Sequence, residues 1–398
     1  MLHSYAFSNF RSFRERTEVP LTLAENASVN GWDRVTSSGQ RLTTAMAVLG
    51  ANASGKTSLI QPLAFLAWFI SRSFDAKPDV GIPITPHFTA KDEPTEFEVI
   101  ADADEPETLW RYRLTATARH VIAESLERKV RRGQWYPVFD RKLSRDNKYE
   151  VHQDGFGLDQ SQAESVRPNV SLISWGAQFG VALATQLASV QVRTNISTAG
   201  KMWLPRNEAL DLCARYYAEN APLQTRMRSL LMQWDLGLSD VLIREQEIPD
   251  PTGESKKHWF AFGVHQDAKT KQPYFLPFFD ESSGTKAAFT LLAEILYALE
   301  NGALVVWDEL ESDLHPHMLE PLLDLFSNEE TNPKNAQIIF TCHAVEVLRL
   351  LQKSQVMLVE KDGLESAAWR LDSLEGVRSD DNRVAKYLAG AYGAVPRL

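Results

Sequence analysis

The chain has 398 residues, 44% of them hydrophobic and 10% aromatic, enough for one large α/β domain with an insertion and a substantial core. Its formal net charge of -10 excludes a protein that coats nucleic acid over its whole surface, so any such contact must be local or supplied by a partner. Two cysteines, Cys213 and Cys342, are too few for a disulfide framework or a zinc cluster and point to a reducing cytoplasm.

Met1 to Arg16 carries polar and basic residues throughout, with no apolar core and cleavage site, so no export signal is expected. Residues 2–8 and 17–24 read as short strands. Thr44 to Leu49 is an apolar strand running into a glycine-rich turn. Lys56 to Ser71 then repeats apolar residues at helical spacing (Leu59, Ile60, Leu63, Leu66, Ala67, Ile70). Leu63 to Ile70, the longest apolar stretch near the front, falls far short of the roughly 20 residues of a membrane span, and no membrane contact is expected. Strand-like runs follow at Glu96–Ala101, Leu109–Thr115, Val121–Leu126 and Tyr136–Asp140, predicting an antiparallel sheet. Residues 160–235 read mainly as helices broken at Trp203–Pro205, with Trp175, Trp203 and Trp234 as packing residues. From 238 onward, apolar strands at Ala303–Trp307, Gln337–Thr341 and Gln355–Val359 alternate with helix-length segments, which predicts a parallel sheet. The expected division is an N-terminal lobe (1–155), a helical insertion (156–236) and a C-terminal lobe (237–398).

Gly50, Ala51, Asn52, Ala53, Ser54, Gly55, Lys56 and Thr57 fit G-x-x-x-x-G-K-[ST], placed after a strand and opening a helix as that motif requires. Glycines let backbone N–H groups curl around phosphate oxygens, and the helix N-terminus adds its positive dipole. Lys56 is expected on the β- and γ-phosphates of ATP and the Thr57 hydroxyl on Mg²⁺, with Asn52, Ser54 and Ser58 completing the loop. A plain glycine-rich turn would not need the strand, helix and lysine together. The apolar strand before Asp308 and Glu309 gives the second signal. Asp308 is expected to hold Mg²⁺ and Glu309 to polarise the attacking water as general base. Alone, two acids at a strand end are more often solvated.

Asp280 to Lys286 opens a further helix, where Ser282, Gly284 and Thr285 offer backbone and hydroxyl donors for an anion. Lys56 already serves the phosphates of its own head, so this second site should face a nucleotide held by another molecule. Without its neighbours, Ser282 would read as an ordinary N-cap. His343 ends the Ile338–Thr341 strand and is placed to contact the γ-phosphate, although a lone histidine at a strand end is usually structural.

The pattern resembles ABC-type ATPases of the SMC, RecF and OLD class: Asn9-Phe10-Arg11-Ser12-Phe13 matches their N-F-R-S-F opening, and Glu311 to Pro316 matches their D-loop. It is similar to the bacterial AAA-family ATPases of abortive-infection and anti-phage systems in Glu281–Thr285, Asp308–Pro316, Thr341–His343 and the terminal Tyr387–Pro396. Trp307 is bulkier than the usual residue there, and Ala391 replaces the usual arginine. The resemblance implies an α/β ABC-type ATPase head, with mixed antiparallel and parallel sheets, a P-loop and a helical insertion. It further implies a nucleotide-sandwich homodimer or higher even-numbered oligomer, Arg11 near the nucleotide, Asp313 crossing the dimer interface, and Gln178 of the Asn169–Gln178 segment as a Q-loop-like glutamine. His315 and His317 fit the D-loop better than a metal site.

One functional expectation is a sensor or scaffold that controls a separate effector, such as a nuclease, in an anti-phage system. A RecF-like DNA-repair ATPase is the alternative. The stretch after His343 is too short for a fused Toprim nuclease, and no segment supplies the long coiled coil of an SMC tether. Arg128, Lys129, Arg131, Arg132, Arg141, Lys142, Arg145 and Lys148 form a basic segment at 128–148 that could contact nucleic acid, although strand edges often carry cations to prevent aggregation.

Overall fold

A computed structural model describes residues 1–24, 31–202, 206–249, 255–378 and 380–396. A six-stranded sheet runs through its centre in the order Val192–Thr194, Leu304–Trp307, Gln337–Thr341, Ala45–Gly50, Val356–Asp362, Glu365–Arg370. The first five strands are parallel and the last is antiparallel.

The four inner strands read as near-continuous apolar runs because both faces are covered. Successive side chains alternate between two cores. Ala45, Ala47, Leu49, Val305, Ile338, Phe340 and Leu358 enter one with the helices Ala221–Gln233, Ser283–Asn301 and Leu319–Ser327. Met46, Val48, Val306, Ile339, Met357 and Val359 enter the other with the helix Lys56–Arg72. That second core is closed by a seven-stranded antiparallel sheet, in the order Tyr149–Gln153, Tyr136–Leu143, Val121–Val130, Thr108–Ala116, Thr95–Asp102, Leu2–Ser8, Thr17–Pro20. The fold is a mixed α/β one, with the antiparallel and parallel sheets read from the sequence.

Two local expectations change. The stretch 160–235 is not helical throughout: Val192–Thr194 extends the central sheet, and Ile196–Ser197 pairs with Gly200–Lys201 as a small hairpin. Residues 240–277 form a separate antiparallel sheet of Asp240–Pro249, Ser255–Gln266 and Pro273–Pro277 before the parallel alternation resumes. Trp203 and the break at 203–205 lie outside the described residues, whereas Trp175 packs edge-on to Phe74 and Trp234 is buried.

The basic segment also needs correction. Arg141 is fully buried: its guanidinium donates to the carbonyls of Val166, Arg167 and Val170, lies 3.4 Å from Glu124 and sits 3.8 Å over the Tyr149 ring. It ties the antiparallel sheet to the start of the 172–178 helix and faces no ligand. Arg131 pairs with Glu107 at 2.6 Å, Lys142 with Asp140 at 2.8 Å, and Arg128 lies 3.8 Å from Glu105. Much of the positive charge at 128–148 is therefore matched within the sheet.

The terminal Tyr387–Pro396 motif has a structural account. Tyr387 Oη donates to Ala394 O at 3.0 Å, and Ala394 N donates to Glu360 Oε2 at 3.0 Å. A Cβ on Gly393 would come within 2.9 Å of that carboxylate and 3.0 Å of Trp369, so the turn lies directly on the Val356–Asp362 and Glu365–Arg370 strands.

Candidate nucleotide site

Three neighbouring parallel strands, Ala45–Gly50, Gln337–Thr341 and Leu304–Trp307, end on one side of the sheet. Their register sets Trp307 beside Phe340 and Thr341 beside Val48. The residues just beyond their carboxyl ends, where open α/β sheets bind ligands, therefore converge. A cavity of about 600 Å³ lies there, lined by Arg11, Asn52, Gly55, Lys56, Thr57, Ser58, Asp308, Glu309 and His343 among others.

The loop leaves no room for larger residues. A Cβ on Gly50 would fall 2.2 Å from Val359 O. Gly55 has φ 110°, and a Cβ there would fall 2.6 Å from Ser366 Oγ and 2.9 Å from Ser12 Oγ. Ser366 clamps the loop from behind, donating to Ser54 O at 2.6 Å. Lys56 is buried, and its ammonium donates to Gly50 O and Ala51 O, both at 3.0 Å. Burial pushes its pKa down, with Asp308, Glu309 and Glu311 opposing. Ser54 Oγ is buried without a hydrogen-bond partner. A buried cation and a helix N-terminus on a tight loop suit phosphate oxygens, but Ser54 and Gly50 do not line the cavity, because they pack against each other and the strand behind the loop.

Asp308 is held from four directions. Thr57 Oγ1 lies 3.1 and 3.0 Å from its carboxylate oxygens, and Thr341 Oγ1 donates to Oδ1 at 2.7 Å. Asn195 brackets its backbone, donating to Asp308 O at 2.9 Å and accepting from Asp308 N at 2.8 Å. Thr341 Oγ1 also accepts from Glu309 N at 2.7 Å, so one hydroxyl fixes both acids. Glu309 has φ 53°, a bend that turns its carboxylate into the cavity rather than along the strand. Its pKa is held below the usual range chiefly by a hydrogen bond from Lys201 Nζ, 2.5 Å from Oε2. One carboxylate beside one hydroxyl is a hard oxygen set suited to Mg²⁺ shared with phosphate and water. With such an ion bound, Thr57 and Asp308 would hold it, and it would neutralise charge on the transferring phosphoryl group.

The site is thus a phosphate loop, an acid pair and a strand-end histidine assembled around one cavity. Residues 45–179 and 244–349 match the model of the family described as "AAA domain, putative AbiEii toxin, Type IV TA system". The chain belongs to that family. No curated protein matches the sequence. Among solved structures, the chain is similar to an SMC head bound to the C-terminal winged-helix domain of ScpA: 14% identity, 94% of this chain and 98% of that one, TM-score 0.46. It is also similar to the SMC head domain of Thermotoga maritima: 14% identity, 93% and 98% coverage, TM-score 0.40. The recombination mediator RecF is a third: 11% identity, 92% and 98% coverage, TM-score 0.35.

Not every expected site residue of the family pattern reaches the cavity. Ser282 and Gly284 sit at the start of the Ser283–Asn301 helix, and neither they nor Thr285 line it. Ser282 is exposed and caps the helix, its Oγ accepting from Thr285 N at 3.1 Å, whereas Thr285 is buried with its hydroxyl 2.8 Å from Ser282 Oγ. A Cβ on Gly284 would lie 3.0 Å from Asp313 O, so the signature turn and the D-loop meet within one chain. His343 is exposed at the cavity, with its backbone N bonded to Glu311 Oε1 at 2.5 Å. His315 caps its own short turn by accepting from His317 N at 3.2 Å.

Gln178 is a correction. It is exposed at the end of its helix and does not line the cavity, because that helix packs against the flank of the Lys56–Arg72 helix. Asn195 bonds Asp308 and Lys201 bonds Glu309, while Gln61 holds the turn of the hairpin that carries Lys201; the sequence reading missed all three. Asn195 and Lys201 lie in a short polar stretch, Thr194 to Lys201, with no periodic signal.

Proposed function

We propose that the chain hydrolyses ATP with Mg²⁺ as a head-to-head dimer. One observation carries this reading: Lys56, Thr57, Asp308, Glu309 and His343 share one cavity, while the turn with exposed Ser282 and half-buried Gly284 lies outside that lining on the same chain. A second copy would bring its signature turn to the open side of the phosphates. Lys56 would hold the β- and γ-phosphates, and Glu309 would take the proton of the attacking water. Asp313 would cross to the partner, and His343 would sense the γ-phosphate. Two inactive variants test this. Lys56→Ala lacks the phosphate cation and Ser282→Arg blocks the partner-facing turn, so a mixture regains up to one working site per heterodimer. Turnover rises more than linearly with protein concentration. A mixture that stays inactive means each chain works alone or not at all.

The family description, which names a putative toxin of a type IV system, supports a place in a toxin or defence module; we infer that the head there controls a separate effector, such as a nuclease, in the cytoplasm. The RecF-like DNA-binding alternative is compatible with the same nucleotide site, and it would draw on the exposed cations of the 128–148 segment rather than on buried Arg141. In cells, Lys56→Ala abolishes the protective or toxic output. An output that survives loss of nucleotide binding contradicts control by ATP.

A further inference from the structure

The hairpin Ile196–Lys201 is the unexplained element of the site. Its turn carbonyls are held by two side chains tied to the nucleotide cavity. Gln61 Nε2, buried on the helix that follows the phosphate loop, donates to Ser197 O at 3.0 Å and Thr198 O at 3.1 Å. Arg11 Nη2, whose side chain lines the cavity, reaches Thr198 O at 3.3 Å and Ala199 O at 3.4 Å. The other end of the hairpin places Lys201 Nζ on Glu309 Oε2.

An ammonium on that oxygen competes with the proton the acid must take and holds the carboxylate in place, which slows the reaction step the acid performs. When water attacks the γ-phosphorus, the bond to the β-bridging oxygen breaks, giving ADP and phosphate, and the water proton needs an open carboxylate lone pair. The pair is not a buried structural tie like Arg141–Glu124, because Lys201 and Glu309 keep 23% and 43% of their side-chain surface exposed. Ion pairs this open are weak and reversible. The contacts of Arg11 are likewise long bonds to neutral carbonyls, whereas a phosphate oxygen would give it a shorter, charge-assisted one.

We propose that the 196–201 hairpin is a nucleotide-released latch, with Lys201 as a positioning residue that keeps Glu309 from the attacking water until nucleotide draws Arg11 off the turn. This rests on the ATPase reading above. The test uses the full chain as wild type, Lys201→Met and Lys201→Arg, measuring ATP turnover, affinity for a fluorescent ATP analogue and hydrogen exchange of the hairpin amides. Lys201→Met raises kcat roughly three- to tenfold. KM and analogue affinity stay within about twofold, because the change acts after binding. Lys201→Arg, which keeps a cation, restores the low rate, and a slowly hydrolysed ATP analogue speeds exchange at 196–201 in the wild type. A Lys201→Met rate at or below wild type with analogue affinity intact overturns the latch, as does hairpin exchange unchanged by the analogue. A wild type that neither binds nor hydrolyses ATP overturns the ATPase reading instead.

Discussion

At the scale of single residues, charge means opposite things at neighbouring positions of the 128–148 segment. Arg131 is largely exposed and Arg132 is exposed, so reversing both to Glu should change stability by no more than about 0.5 kcal/mol. Arg141 is different. Replacing it with Ala strands Glu124 with its charge in a core that excludes water, a loss of about 3–5 kcal/mol. That is a large share of a typical folding stability, and it shows as a clearly lower Tm. Equal melting of Arg141→Ala and wild type would mean the guanidinium is not the tie described. In the sequence, Arg141 looks like its basic neighbours. Its burial depends on Glu124 across the sheet and on three carbonyls of the 166–170 turn, and no local pattern reports them.

At the scale of elements, the phosphate loop and the acid strand were legible because their chemistry sits on contiguous residues. Gly50 to Thr57 needs its glycines in sequence, and Asp308 and Glu309 follow an apolar run that only a doubly covered strand explains. The strand Val192–Thr194 was not legible: three residues, one of them arginine, give no period. Yet it adds to the central sheet and delivers Asn195 to both backbone groups of Asp308. The sheet at 240–277 was missed for a different reason. Its strands are amphipathic and largely exposed, so they lack the apolar runs that marked the central ones. Asn195→Ala should leave both Asp308 backbone groups without that partner, a penalty of about 1–3 kcal/mol placed beside the catalytic acids. Turnover falls with little change in ATP affinity, because the phosphate loop is untouched. Steady-state kinetics check this, and a raised KM at unchanged kcat would assign Asn195 to binding instead.

At the scale of the molecule, the cavity holding the phosphate loop and acids is not lined by the Ser282 to Gly284 turn, which lies beside Asp313 with its two serines exposed. The sequence motifs picked out both places, and the proposed dimer needs them apart in one chain. A head-to-head pair would join each cavity to the other copy's turn. Glu309→Gln keeps the shape of the acid and removes the base, so ATP is bound and not consumed. Solution mass measured on this variant with and without ATP and Mg²⁺ is the most direct test. A monomer without nucleotide that doubles in mass with ATP is the predicted result, and a mass unchanged by saturating ATP would contradict the dimer.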